Sequence, residues 1–163
     1  MVFPLFRQSA FLTGTETTVR DWRTDIVLGR TVFETGLQVR PDDIDMNRHV
    51  HASRYQDYVL AARYDQMARC YGMSMEAFLA DGLTWYARVA HLQYKRALQL
   101  GDAFRVRTWV DAVAETDVRV CFEIVRGTPG KLCCDGWCEF TLVGVDSGRP
   151  MLIPPLVLEK YCV

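Results

Sequence analysis

The sequence predicts an α+β fold in which a curved antiparallel sheet wraps around one long central helix. Two observations predict it. One helical pattern, over residues 53–71, follows a single short strand, and the chain after Gly82 alternates like antiparallel strands with short connections. The length of 163 residues, half of them hydrophobic, suits one domain with one core. We expect residues 31–163 to form this domain and residues 1–30, which show little periodicity, to form an N-terminal extension.

The first strand and the long helix have recognisable ends. Residues 31–39 are rich in β-branched and aromatic residues, and Pro41 follows, which cannot donate to a β-ladder. Ser53 and Gln56 have the spacing of a capping box, and Gly72 is a typical helix stop. Apolar residues cover more than one stripe of this helix, which predicts that other structure encloses it.

The remaining elements are short and regular. Ser74 and Gly82 flank a candidate second helix over residues 74–80. Four strands are then predicted, with a turn formed by Gly127-Thr-Pro-Gly130 before the last of them. These strands cover residues 83–94, 104–111, 118–125 and 131–143.

Composition and charge exclude several classes of protein. The 19 Lys and Arg residues nearly balance 20 Asp and Glu residues, so no basic excess marks a nucleic-acid binder. No apolar run approaches the roughly 20 residues that span a bilayer. The six cysteines lack disulfide-framework and paired zinc-site spacing. We therefore expect a reduced, cytoplasmic protein with no bound metal and no cofactor.

The residues before the long helix carry the most informative chemistry. Asp45, Asn47 and His49 alternate over five residues, and the free N–H groups of a helix start follow around Ala52. A carboxylate can attack a carbonyl or take a proton from water, an amide can orient that water, and an imidazole can shuttle a proton. Backbone N–H groups can polarise an acyl oxygen. Together these groups suit acyl transfer to water, and a thioester is an apt substrate.

Three motifs in the right order resemble the hotdog-fold thioesterases of the 4-hydroxybenzoyl-CoA and acyl-ACP thioesterase type. The family pattern is roughly D-x-D-x-x-G-H-V-N-N-x-x-Y before a long helix. The resemblance continues through a strand end similar to Y-x-R-P-x-x-x-G-D and to a turn after the last long strand. The matching residues are Asp43, Asp45, His49, Val50 and Tyr55, then 92–102, then 145–150.

The resemblance implies roles for particular residues. Asp45 matches the catalytic carboxylate, a nucleophile or general base, and Ala52 matches the position whose N–H binds the thioester oxygen. Asn47 and His49 complete a D-x-N-x-H spacing similar to that of the plant acyl-ACP thioesterases. Tyr55, Lys95 and Arg96 are candidate substrate-binding residues, the two cations for phosphates. The alternatives are a solvated turn for Asp45 and Asn47, a structural role for His49, and a charged strand end for Lys95 and Arg96.

The function implied is hydrolysis of an acyl-CoA or acyl-ACP thioester by a homodimer or homotetramer. The family joins two sheets edge to edge, with the acyl tunnel between subunits. Two alternatives remain: a catalytically silent acyl-binding or interaction protein, and an acyl-thioester hydratase. Arg48 stands where glycine is common, and His51 with Ala52 replaces an Asn pair, which favours the silent protein. No hydratase motif is present.

Overall fold

The computed structural model describes residues 31–161, so the predicted extension over residues 1–30 lies outside the described residues, as does Cys162. Five strands, three helices and a 3₁₀ turn at Pro41–Asp43 follow one another. In chain order they are β1 (Phe33–Gln38), α1 (Arg54–Arg69), α2 (Met75–Ala80), β2 (Leu83–Tyr94), β3 (Ala103–Val113), β4 (Asp117–Arg126), β5 (Lys131–Gly144) and α3 (Pro155–Tyr161).

All five strands form one antiparallel sheet in the order β1-β3-β4-β5-β2. The predicted α+β fold is confirmed, and every predicted strand is present with bounds shifted by at most a few residues. The register shifts between Val110 and Ala112 and between Ala87 and Val89. Such bulges bend a strand and increase its twist, which gives the sheet its curvature.

The inward faces of β3 and β4 follow the predicted alternation and build the core against α1. Val106, Thr108, Val120 and Ile124 are at most 1% exposed. The seven-residue α3 was not predicted, because so short an apolar run gives no clear helical period. It closes one end of the core through the buried side chains of Val157 and Tyr161.

The start of α1 differs from the predicted capping box. Ser53 already has helical angles, with φ −64° and ψ −27°, and its side chain caps no N–H group. Its Oγ lies 3.0 Å from Nδ1 of His51, and that nitrogen also accepts the Ser53 N–H at 3.3 Å. The His51 ring therefore accepts one N–H group at the start of α1, and the predicted Ser53–Gln56 capping box does not form. At the other end, Gly72 takes a φ of +63° as a helix stop does.

Helix α1 packs against the sheet as predicted, but within the described residues part of its surface stays exposed. Leu60 and Tyr64 are 38% and 52% exposed, whereas two polar residues, Arg63 and Gln66, are buried. Gln66 donates from Nε2 to Thr35 Oγ1 at 3.2 Å and accepts from the Thr108 hydroxyl, so it ties the helix to β1 and β3. A buried polar residue is tolerated when its hydrogen bonds are satisfied in this way.

Strand β2 forms one edge of the sheet and exposes large side chains. Tyr86, Val89 and Tyr94 are each more than 40% exposed. Among the described strands, β5 alone pairs with β2, which leaves its other edge open. No described helix is long and apolar enough to cross a membrane.

The cysteines behave as small hydrophobic residues where the structure describes them. Cys133, Cys134 and Cys138 are at most 2% exposed, and all five described cysteines are free thiols. Burial raises the pKa of the Cys134 thiol to about 12 and that of Cys138 to about 11. These two side chains are therefore protonated at neutral pH and serve packing.

Candidate active site

The loop before α1 is a small hairpin. Ile44 and Val50 form an antiparallel bridge, and three residues separate Asp45 from His49. The Asp45 N–H donates to the His49 carbonyl at 2.8 Å, and the Arg48 N–H donates to the Asp45 carbonyl at 3.1 Å. Arg48 has a φ of +62°, the left-handed conformation that commonly ends a three-residue hairpin loop. The arginine thus keeps the conformation that glycine favours at this position.

Substitutions at Arg48 should separate backbone strain from charge. Arg48→Val and Arg48→Gly both remove the guanidinium, but valine is strongly disfavoured at positive φ. We expect Arg48→Val to lower the free energy of unfolding by about 1–2 kcal/mol relative to Arg48→Gly. Urea unfolding of the two variants measures the difference. Equal stabilities would contradict the left-handed assignment.

Asp43 anchors this hairpin to the body of the protein. Its side chain is fully buried and accepts from the Tyr58 hydroxyl at 2.8 Å and from the Arg40 N–H at 3.0 Å. The guanidinium groups of Arg40 and Arg54 lie 3.5 and 3.7 Å from Oδ1. Burial acts to raise the pKa of this carboxyl, but the hydrogen bonds and the charge of Arg40 together hold it below its ordinary value. Asp43 is therefore an ionised structural residue.

Asp43→Asn should destabilise the protein at neutral pH by about 1–3 kcal/mol, the cost of weakening buried hydrogen bonds to a charged group. The folded-state pKa of Asp43 is lowered. The stability that the ionised Asp43 contributes is therefore fully present above its unfolded-state pKa of about 4, and it is lost as pH falls through the folded-state pKa. The difference between wild type and variant should therefore shrink in acid. Asp42→Asn, at an exposed carboxylate 3.6 Å from Arg40, is the control and should change little. An equal loss at pH 7 in both variants would count against the anchor.

Asp45 is half-buried at the end of the same hairpin. Its Oδ1 accepts the N–H of Asn47 at 2.8 Å and the N–H of His49 at 3.3 Å. Desolvation acts to raise the pKa of the carboxyl, but these hydrogen bonds, with the Asn47 side chain and His49, lower it below the ordinary value. The loop thus presents an ionised carboxylate in a fixed position.

A shallow cavity of about 300 Å³ lies beside Asp45, and it brings two distant parts of the chain together. The hairpin and the start of α1 form one wall, and the end of β2 with the residues after it forms the other. All predicted site residues except Asn47 line it. The lining residues are Asp45, His49, Val50, Ala52, Tyr55, Tyr94, Lys95, Arg96 and Ala97.

The start of α1 presents a free backbone donor to this cavity. Within the described residues, the Ala52 N–H has no hydrogen-bond acceptor, and the residue is exposed. The Tyr94 hydroxyl donates to the Ala52 carbonyl at 3.0 Å and fixes this residue against β2. The first N–H groups of a helix carry its positive partial charge. An acyl oxygen is a suitable acceptor at this point.

Tyr55 holds the two walls together. Its hydroxyl accepts the N–H of Leu98 at 3.0 Å, and the Leu98 carbonyl accepts the N–H of Val50 at 2.9 Å. Burial raises the pKa of the Tyr55 hydroxyl, although the Leu98 N–H acts to lower it. The structure therefore places the aromatic ring of Tyr55 at the cavity and its hydroxyl in a structural hydrogen bond.

Lys95 and Arg96 lie at the rim, both exposed. Lys95 donates from Nζ to Gln93 Oε1 at 2.6 Å and is 3.6 Å from Asp135. Arg96 donates from Nη1 to the Leu132 carbonyl at 3.0 Å, and no described carboxylate lies within 4 Å of it. Arg96 therefore keeps its charge available to an anion at the cavity mouth.

Two residues with roles here were not predicted from the sequence. Tyr94 positions the Ala52 peptide, and His51 satisfies the N–H of Ser53. Tyr94 belongs to a motif that the sequence singled out, so its position was visible even though its contact was not. The role of His51 depends on backbone angles that its residue type does not indicate.

Comparisons with known proteins bear on the fold and the family. The family model of the thioesterase-like superfamily matches residues 39–161. The DHNA-CoA thioesterase of Staphylococcus aureus is 20% identical with a TM-score of 0.70, over 80% of this chain and 83% of that one. Slr0204, a 1,4-dihydroxy-2-naphthoyl-CoA thioesterase from Synechocystis, is 14% identical with a TM-score of 0.72, over 81% and 96%.

A third solved structure, SAV2348 from Staphylococcus aureus in complex with CoA, is 18% identical with a TM-score of 0.73, over 80% of this chain and 82% of that one. No curated protein matches the sequence. At these identities the solved structures show the shared fold, and the family match spans both walls of the cavity. The sheet and central helix are thus those of the hotdog fold, and this chain belongs to the thioesterase-like superfamily.

Proposed function

We propose that this protein hydrolyses an acyl thioester of coenzyme A or acyl carrier protein to a free acid and a thiol. One observation carries the proposal: the ionised Asp45 carboxylate and the free Ala52 N–H line the same cavity. An ester-like carbonyl needs both groups, a base or nucleophile near its carbon and a donor for its oxygen.

In the proposed reaction the thioester oxygen accepts the Ala52 N–H at the helix start. Asp45 either takes a proton from a water that attacks the carbonyl carbon or attacks that carbon itself, with water cleaving the resulting anhydride. The carbon–sulfur bond breaks, and the thiolate leaves with the electron pair and gains a proton from solvent or His49. Asn47 lies outside the cavity wall, and its backbone and side chain position Asp45.

The carrier is proposed from the charges at the cavity mouth. Lys95 and Arg96 stand next to each other in sequence and both line the cavity. Paired cationic donors suit the phosphate groups that coenzyme A and the acyl-carrier arm both contain. The structure of SAV2348 in complex with CoA is that of a protein with the same fold, which supports the proposal.

We also propose that two copies of the chain associate through the open edge of β2. The unpaired backbone groups of an exposed strand invite pairing with another strand, and Tyr86 and Val89 add apolar area beside it. A symmetric pairing of two β2 strands would join the sheets of a homodimer, and two dimers would make a tetramer.

The test of the function is thiol release by the wild-type protein from a panel of acyl-CoAs, short, long and aromatic, and from acyl-ACP. We expect measurable turnover of at least one class, with light scattering showing a dimer or tetramer. Binding of acyl-CoA without thiol release from any substrate would instead indicate a silent acyl-binding protein. Addition of water to an enoyl thioester without thiol release would indicate a hydratase.

A further inference from the structure

A second cavity, of about 280 Å³, lies along the middle of α1 and shares no lining residue with the first. Apolar side chains form most of its wall, among them Met67, Met75, Trp85 and Phe140. Arg63 alone of the described lining residues carries a charge. A cavity of this composition suits a hydrocarbon chain, and the arginine is its exception.

Arg63 is buried without a counter-ion in the described part of the chain. The residue is 7% exposed, and its Nη1 donates to the Tyr71 hydroxyl at 3.2 Å and to Thr108 Oγ1 at 3.4 Å. Its guanidinium also lies 5.0 Å from the centre of the Tyr71 ring. These partners are neutral, and no described carboxylate lies within 4 Å of Arg63.

A guanidinium has five N–H donors in a planar fork, and the Nε and Nη2 donors of Arg63 meet no acceptor among the described residues. A buried charge without a partner is costly, and such a charge is normally paired or hydrogen-bonded. Because Arg63 keeps an exposed fraction of 7% and lines the cavity, a ligand in the cavity can reach these donors. The group they fit best is a carboxylate, which the fork binds through two parallel hydrogen bonds.

The distance from Arg63 to Ala52, which lines the first cavity, limits the length of a ligand that could contact both residues. Arg63 follows Ala52 by eleven residues, and the last nine of these steps lie in α1 and span about 14 Å of helix. Arginine side chains on a helix lean toward its N-terminus, which shortens the gap. An extended chain of about eight to ten carbon atoms covers the remaining distance.

From this arrangement we propose that the preferred substrate is an ω-carboxyacyl thioester, an acyl chain with a second carboxylate at its far end. Arg63 is the specificity-determining residue that pairs with this carboxylate, while Leu60, about one turn nearer to Ala52, lies beside the methylene chain. The inference rests on the proposed thioesterase function, because the position of the thioester at Ala52 sets the distance to Arg63.

The test compares thioesters of equal chain length. Suberoyl-CoA and sebacoyl-CoA carry the distal carboxylate, and octanoyl-CoA and decanoyl-CoA do not. We expect wild type to favour the carboxylated member of each pair by about 10- to 100-fold in kcat/KM, the range for a hydrogen bond to a charged group. Arg63→Met, which retains apolar volume, should abolish the preference for the carboxylated member of each pair. Arg149→Met, at an exposed arginine, is the matched control and should keep the preference.

Two results would overturn the inference while the thioesterase function stands: equal kcat/KM values within each pair for wild type, or a preference that survives Arg63→Met. If no thioester releases thiol, the proposed function fails by itself. Calorimetric titration with free suberate then tests Arg63 separately. Binding to wild type and not to a folded Arg63→Met variant, verified by thermal denaturation, supports the site, and absence of binding to wild type overturns it.

Discussion

Asp45→Asn should reduce thioester hydrolysis by about a hundredfold or more, the scale of losing a general base or nucleophile. The amide of asparagine can still accept the N–H groups of Asn47 and His49, which are 2.8 and 3.3 Å from Oδ1, so the hairpin should keep its shape. The change removes the negative charge that attacks or deprotonates. Steady-state thiol release on the best wild-type substrate measures the effect.

The control for this substitution lies three residues away. Asp42→Asn removes a carboxylate from the same segment, but Asp42 is 65% exposed and does not line the cavity. It should leave kcat and KM nearly unchanged. Activity that survives Asp45→Asn would move the reaction away from this carboxylate. Equal losses in both variants would indicate a general effect of charge.

Gly136→Ala should have the largest effect on stability. Gly136 lies in β5, opposite Leu92 of β2, and a Cβ placed there would be 1.9 Å from the carbonyl oxygen of His91 and 2.9 Å from the Phe122 ring. The oxygen belongs to a backbone in the sheet, so relief requires the two strands to separate. We expect a loss of about 3 kcal/mol or more in the free energy of unfolding. Denaturant unfolding measures it.

Gly36→Ala is the matched control, because Gly36 also lies in a strand but a Cβ there has no atom within 4 Å. We expect the free energy of unfolding of the Gly36→Ala variant to be unchanged or raised by less than about 1 kcal/mol. Similar losses in both variants would show that strand glycine itself matters, and not the close approach of β5 to His91. Activity should also fall in Gly136→Ala, because β2 carries Tyr94 to the cavity.

The strands were predictable because their apolar residues alternate, and the long helix was predictable from its run of apolar residues and the helix stop at Gly72. Val106, Thr108, Val120 and Ile124 alternate in the sequence and are buried in the structure. The period fails where polar residues enter the core. Gln66 is fully buried because Thr35 and Thr108 satisfy its amide, and those partners are far away in sequence.

The two walls of the candidate site were predicted from two different kinds of sequence information, residue spacing and family resemblance. The spacing of Asp45, Asn47 and His49 singled out one wall, and the family resemblance supplied Lys95 and Arg96 on the other. Neither source indicates that the Tyr94 hydroxyl fixes the Ala52 peptide. That contact joins residues 42 positions apart and depends on the register of β2. Local pattern cannot specify such a contact, and the second cavity around Arg63 was missed for the same reason.

The most direct test of the central claim is a crystal structure of the protein with coenzyme A. We predict that the thiol end of the ligand lies in the cavity lined by Asp45 and Ala52, with phosphate groups contacting Lys95 or Arg96. A ligand whose thiol end lies elsewhere, with Asp45 facing only solvent, would contradict the proposed active site.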